Sequence, residues 1–148
     1  MVHILVQNAV SYIALEYESK FDAIELAKKQ INQFINENIK GNNIYINFWC
    51  LQEMMANAIE HGNRFDPSKK VYVDVEITEQ QITFTIRDNG NGFDWRSKLH
   101  QEYCLLSSDE RGRGVVMSNM FCSKLMYNEI GNQVTIVYLF EDLDLLTP

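Results

Sequence analysis

Three groups of residues in this sequence carry side chains suited to chemistry, and they follow one another along the chain. The first is Glu53 and Asn57, within a segment from Ile44 to His61 whose spacing predicts a helix. At about 100° per residue, a separation of four puts the carboxylate and the amide on one face, one turn apart. Glu60 and His61 gather on that side, while Phe48, Leu51, Met55, Ala58 and Ile59 fall on the other. A carboxylate and an amide oxygen so placed suit a hard cation or a polarised water. A solvated polar face is the ordinary alternative, weakened by the poor helix propensity of Asn and by the polar closure His61-Gly62-Asn63. The second group is Asp88-Asn89-Gly90-Asn91-Gly92-Phe93, directly after an apolar alternation ending at Ile86. An Asp at a strand end can accept a hydrogen bond from an exocyclic amine, as on adenine. Two glycines one residue apart let the backbone turn sharply and approach a flat or anionic ligand. A plain turn accounts for the same residues. The third group is Arg111-Gly112-Arg113-Gly114, feeding the apolar run Val115-Val116-Met117-Ser118-Asn119-Met120-Phe121. A glycine-rich loop entering a helix offers free N–H groups and the positive end of the helix dipole to a phosphate. A flexible loop with a helix cap is the alternative. The loop is neither a Walker A sequence nor a dinucleotide-binding fingerprint.

The elements that must position these groups are readable from hydrophobic periodicity. Ser11 to Ser19 alternates as a strand, and Phe21 to Ile39 repeats Ile24, Ala27, Ile31, Phe34 or Ile35 at helical spacing before Gly41. Gly62 closes the second helix. Val71 to Ile77 and Ile82 to Ile86 alternate about a short turn and predict a hairpin. Asn89 to Gly114 is polar, glycine-punctuated and without regular period; Val115 to Leu125 predicts a third helix. Leu125 to Tyr127 and Val134 to Phe140 predict a second hairpin, turning at Gly131-Asn132. Helices followed by hairpins predict an α+β fold, a two-layer α/β sandwich with three main helices on one face of a mixed, mainly antiparallel sheet.

Composition narrows the function classes. The 148 residues, 46% hydrophobic and with only two prolines and seven glycines, suit one domain spanning 1–148 with its own core. A net charge of −7 is repelled by phosphate backbones and anionic lipid, so neither nucleic acid nor a membrane is expected as partner. Cys50, Cys104 and Cys122 are odd in number and form no CxxC pair, which speaks against a disulfide framework or structural zinc and for a reducing cytoplasm. The N-terminal stretch lacks a basic leader region, and no apolar run is long enough to span a bilayer.

The order of the three groups carries a resemblance. Glu53-x-x-x-Asn57-Ala58-x-x-His61-Gly62-Asn63, then Asp88-x-Gly90-x-Gly92, then Gly112-x-Gly114, resembles the N, G1 and G2 boxes of the histidine-kinase-like (GHKL, Bergerat-fold) ATPases. More narrowly it resembles the anti-sigma factor serine kinases, which carry a Glu in the first box and run on as H-G-N with a D-P before the next strand, here Asp66-Pro67 before Val71. Tyr127-Asn128-Glu129, Gly131-Asn132 and Val134-Thr135 look like that family's ending, so the likeness covers about residues 11–140.

The resemblance implies an ATP-dependent serine/threonine protein kinase. Asn57 is implied as the ligand of a Mg²⁺ bridging the phosphates, and Glu53 as the general base that takes the proton of the attacking hydroxyl. Asp88 is implied as the acceptor for the adenine amine, with Gly90 and Gly92 admitting the base. His61 is implied as a helix-end hydrogen-bonder near the phosphates. Gly112 and Gly114 are implied in a lid over the phosphates, flanked by Arg111 and Arg113, with Asp94 to Arg111 as the lid itself. The implied partners are an anti-sigma-factor antagonist of STAS type as substrate and a sigma factor or similar regulator, with a homodimer formed through the helical layer. An ATP-binding interaction module that transfers nothing, within a bacterial signalling switch, is the alternative.

Overall fold

The computed structural model describes residues 2–5, 10–39, 46–94, 96 and 122–142. Six strands form one sheet: β1 (Val2–Leu5), β2 (Val10–Glu18), β3 (Lys70–Ile77), β4 (Gln81–Arg87), β5 (Lys124–Tyr127) and β6 (Gln133–Leu139), in the order β1-β2-β3-β4-β6-β5. Every ladder among them is antiparallel, so the sheet is uniform where a mixed one is expected. Short connections join β1 to β2, β3 to β4 and β5 to β6, while β2–β3 and β4–β6 pair antiparallel across longer connections, the first of which carries both helices. Two helices, α1 (Asp22–Asn38) and α2 (Trp49–Asn57), lie in the second layer.

Alternation builds the core. Val71, Val73, Val75 and Ile77 of β3, Ile82, Phe84 and Ile86 of β4, and Val134, Ile136 and Tyr138 of β6 are all buried. The register pairs Val73 with Ile86 and Ile86 with Val134, so these side chains line one face of the sheet. Against that face α1 sets Ala27, Ile31, Phe34 and Ile35, and α2 sets Cys50, Leu51, Met54 and Met55. Cys50 and Met54, absent from the apolar side projected for this helix, are as deeply buried as Leu51. Cys50 and Cys122 are buried thiols that form no disulfide, and the hydrogen bond between them, with burial, pushes the Cys122 thiol up.

Three boundaries depart from expectation for identifiable reasons. The second helix begins at Trp49 rather than Ile44, and the Asn47 side chain accepts the Trp49 N–H at 2.9 Å in an Asx turn directly before it. Its last turn widens into a π turn over Ala58–Gly62, closed by Asn63 N–H to Ala58 O at 2.8 Å. Strand β1 extends the sheet beyond β2, a position to which the periodicity assigns no element. The predicted helix Val115 to Leu125 is described only over residues 122–125, which are a bend at 122–123 and the start of β5 at Lys124 and Leu125 rather than helix. Nearly all of the lid from Asp94 to Arg111 lies outside the described residues.

Candidate nucleotide site

Where α2 ends and the sheet's β4 and β6 meet, the structure encloses a cavity of about 240 Å³. Its apolar walls come from Met54 and Ala58 on the helix side and from Ile86 and Val134 on the sheet. Asn57, His61, Asp88 and Gly92 of the sequence-based candidates line it. Glu53 does not, although it stands one helical turn before Asn57 and is half-buried. Gly90 does not line it either and packs against the Gly62 carbonyl and the Asp88 carboxylate. Arg111, Gly112, Arg113 and Gly114 lie outside the described residues.

Asp88 is the chemical centre of this cavity. Only 7% of its surface is exposed, yet it carries a carboxylate. Oδ1 accepts the Gly90 N–H at 2.7 Å, while Oδ2 receives no hydrogen bond from any described residue. Burial pushes the Asp88 carboxyl above the ordinary carboxylate range, opposed by the Gly90 N–H and by the charge of Lys69. A buried acceptor with a vacant oxygen in an apolar cavity is costly unless a ligand donor reaches it.

The glycines around Asp88 serve the backbone as well as any ligand. A Cβ on Gly62 would strike the Asp88 carboxylate, and one on Gly90 would strike the Gly62 carbonyl. Gly92, at φ 82°, faces the Ile130 carbonyl so closely that a Cβ could not fit. That approach lets Phe93 N–H reach Ile130 O at 2.8 Å and ties the loop after β4 to the β5–β6 turn.

Two positions that sequence reasoning did not assign hold the site together. Asn63 is fully buried: its amide nitrogen donates to Ser19 Oγ and to the Lys70 carbonyl, both at 2.9 Å, and its oxygen accepts the Asn89 N–H at 2.8 Å. It thereby joins the end of α2, the start of β3 and the turn that presents Asp88. The adjoining Arg64 and Phe65 both adopt positive φ, 53° and 57°. The Phe65 N–H bond to Ile59 O at 2.9 Å and the Phe21 ring edge-on at 5.0 Å oppose a strain of about 1–2 kcal/mol per residue. Asn128 organises the opposite wall, its oxygen accepting the N–H groups of Gly131 at 2.8 Å and Asn132 at 3.1 Å. The Asn132 carbonyl in turn accepts the Asp88 N–H at 3.0 Å. Tyr127 completes this wall, edge-on to Phe93 at 5.1 Å. Asn63 was visible as the last letter of H-G-N, and Asn128 as an Asn before a Gly-Asn turn. Asn as a residue type does not announce the full burial of Asn63, nor the turn that half-buried Asn128 organises.

A cavity of this size is below the roughly 300–1,000 Å³ of a site enclosing a whole drug-sized ligand, and suits a heterocyclic base with its polar remainder outside. Among the described residues no group of three His, Cys, Asp or Glu side chains could hold a metal by itself. Asn57, half-buried and lining the cavity, fits the other mode, in which Mg²⁺ keeps its waters and takes one protein oxygen together with ligand phosphates.

An antiparallel sheet under two helices, with a buried Asp directly after a central strand and an Asn at the end of the second helix lining the same cavity, has the form of a nucleotide-binding domain of the GHKL type. Residues 36–138, more than two thirds of the chain, match the histidine kinase-like ATPase domain family, and the chain belongs to that family. It is 30% identical over 96 residues to the anti-sigma F factor of Anoxybacillus flavithermus, covering 63% of this chain and 65% of that protein. It is 32% identical over 77 residues to the anti-sigma F factor of Shouchella clausii, covering 51% of this chain and 53% of that protein. The signal transduction histidine-protein kinase/phosphatase DegS of Bacillus subtilis is 36% identical over 67 residues, 43% of this chain and 16% of DegS. The matches span about two thirds of the first of these anti-sigma F factors and about half of the second. Among the described residues no helix is long and apolar enough to cross a membrane.

Proposed function

We propose that this protein binds Mg²⁺-ATP and transfers the γ-phosphoryl group to a serine or threonine of a small regulatory protein, in the manner of the anti-sigma factor kinases it resembles. The observation that carries the nucleotide reading is Asp88: a nearly buried carboxylate, one oxygen without a donor, in an apolar cavity sized for a base. The adenine amine supplies the missing donor, and Met54, Ala58, Ile86 and Val134 supply the walls. Asn57 would hold Mg²⁺, which would supply charge neutralisation on the phosphates. Glu53 accepts the proton of the attacking hydroxyl as its oxygen bonds to the γ-phosphorus and the bond to the β-phosphate oxygen breaks, leaving ADP. By the resemblance, Arg111, Gly112, Arg113 and Gly114 are the residues assigned to phosphate binding, and His61, which lines the cavity, would contribute a hydrogen bond beside the phosphates. The protein substrate is an anti-sigma-factor antagonist, the other partner is a sigma factor or similar regulator, and the kinase acts as a homodimer in the cytoplasm.

Titration with ATP by calorimetry, with and without Mg²⁺, tests the nucleotide reading. Binding that requires Mg²⁺ and disappears in Asn57→Ala is the expected result; equal affinity in the variant removes Asn57 as the metal ligand. One observation favours the second reading, an ATP-binding module without transfer: Glu53 does not line the cavity. Glu53→Gln separates the two, since a base is needed for transfer and not for binding.

A further inference from the structure

At the end of α2 remote from the cavity, α1 and α2 part around a broad groove of about 670 Å³, lined in part by Lys28, Lys29, Ile46, Phe48, Trp49 and Gln52. Lys28 donates to Gln52 Oε1 at 2.8 Å and pairs with Glu25 at 3.2 Å, and Lys29 makes no ion pair among the described residues. Two lysines against one acid give this groove a positive balance in a chain of net charge −7. The first turn of α2 opens onto the same groove and contains no acidic residue to complement the helix dipole.

The chain supplies an occupant of matching chemistry. Strand β6 ends at Leu139, beside the groove: Tyr138 donates its hydroxyl to the Asn47 carbonyl at 3.1 Å, and Asn47 lines the groove. Phe140 packs against the core at this same end, and Glu141 and Asp142 follow it in a helical turn. Beyond them, residues 143–148 read Leu-Asp-Leu-Leu-Thr-Pro, with three leucines, one acid and no base. Six residues reach up to about 20 Å when extended, twice the width of a helix.

We propose that residues 143–148 dock in cis in the groove between α1 and α2, with Asp144 against Lys28 and Lys29 and with Leu145 and Leu146 on Phe48 and Trp49. The short connection from Phe140 holds the segment at a high effective concentration, which favours its own groove over that of a second copy. Docking covers the half-buried aromatic pair and places a carboxylate at the N-terminus of α2, bracing the helix whose other end carries Asn57.

Hydrogen exchange on the full chain, followed over residues 46–52 with β3 as internal reference, tests this. Asp144→Lys and Lys29→Glu should each raise exchange there about fivefold while leaving β3 unchanged, and the double variant should return it to the parental rate. The paired reversal guards against a fold-wide effect, because a merely destabilised chain gains nothing from the second substitution. Parental exchange in both single variants overturns the proposal. So does protection of residues 46–52 that increases with protein concentration, which would place a second copy's segment in the groove.

Discussion

Asn63 gives the sharpest quantitative expectation. Its amide makes three hydrogen bonds of 2.8–2.9 Å in a fully buried position, joining Ser19, Lys70 and Asn89. Asn63→Ala removes all three at about 1 kcal/mol each and leaves their partners in a space too tight to hydrate freely, so a loss of about 3 kcal/mol is expected. For a chain of this length about 2–4 °C of melting temperature accompanies each kcal/mol, which converts to a fall of about 6–12 °C. Urea denaturation with an unchanged m-value measures the free energy, and a thermal scan measures the shift. The functional consequence is separate from the stability loss. Asn89 follows Asp88 directly, so its release lets the carboxylate move relative to α2, and ATP affinity should fall well below the parental value even at 10 °C, where the variant is folded. A loss under 1 kcal/mol with parental ATP affinity would refute the assignment of Asn63 as the tie between helix end and turn.

Three further perturbations follow from the same geometry. Burial raises the Asp88 carboxyl, so the native state binds that proton more tightly than the unfolded chain, and this residue's contribution to stability falls as pH rises from about 3.8 through its raised native value. Asp88→Asn removes that penalty while keeping an oxygen for the Gly90 N–H; at neutral pH the variant should be at least as stable as the parent in urea, yet lose its preference for ATP over GTP. A variant that is less stable and equally selective contradicts both halves of this reasoning. Gly92→Ala places a methyl on the Ile130 carbonyl at a left-handed φ, and should cost about 2 kcal/mol or more in denaturation experiments and open the Phe93–Ile130 tie. Glu53→Gln should retain ATP affinity by calorimetry and abolish phosphoryl transfer to the protein substrate; equal transfer by mutant and parent would exclude Glu53 as the base.

The parts of the fold that were legible in the sequence are those where one periodicity acts alone. Val71 to Ile77 and Ile82 to Ile86 alternate with a buried face, and the structure pairs Val73 with Ile86 and Ile77 with Ile82 accordingly. The helix Phe21 to Ile39 was readable because Ile24, Ala27, Ile31 and Ile35 repeat on one stripe, all buried. The start of α2 was not, because the apolar Ile44-Tyr45-Ile46 extends the helical pattern past the turn that Asn47 makes with the Trp49 N–H. Nor was β1, four residues whose pairing depends on β2 lying alongside rather than on any signal of their own.

The candidate site was legible to a different depth. Side chains that meet a ligand can be picked out by type, so Asn57, His61 and Asp88 are found at one cavity although 31 positions separate Asn57 from Asp88. What type cannot convey is who holds them there. The glycine of H-G-N is small because the Asp88 carboxylate lies against it, and Gly90 is small because the Gly62 carbonyl does. The first two boxes therefore constrain each other: the end of α2 and the turn after β4 can approach only if both lack a Cβ at the contact. Seen this way, the spacing H-G-N and D-x-G-x-G records a backbone-to-backbone packing requirement as much as a ligand requirement. Gly62→Ala should accordingly cost nucleotide affinity by displacing Asp88, with no loss of any group that itself touches the ligand. Parental affinity in a folded Gly62→Ala chain would show that Asp88 is held by the sheet alone.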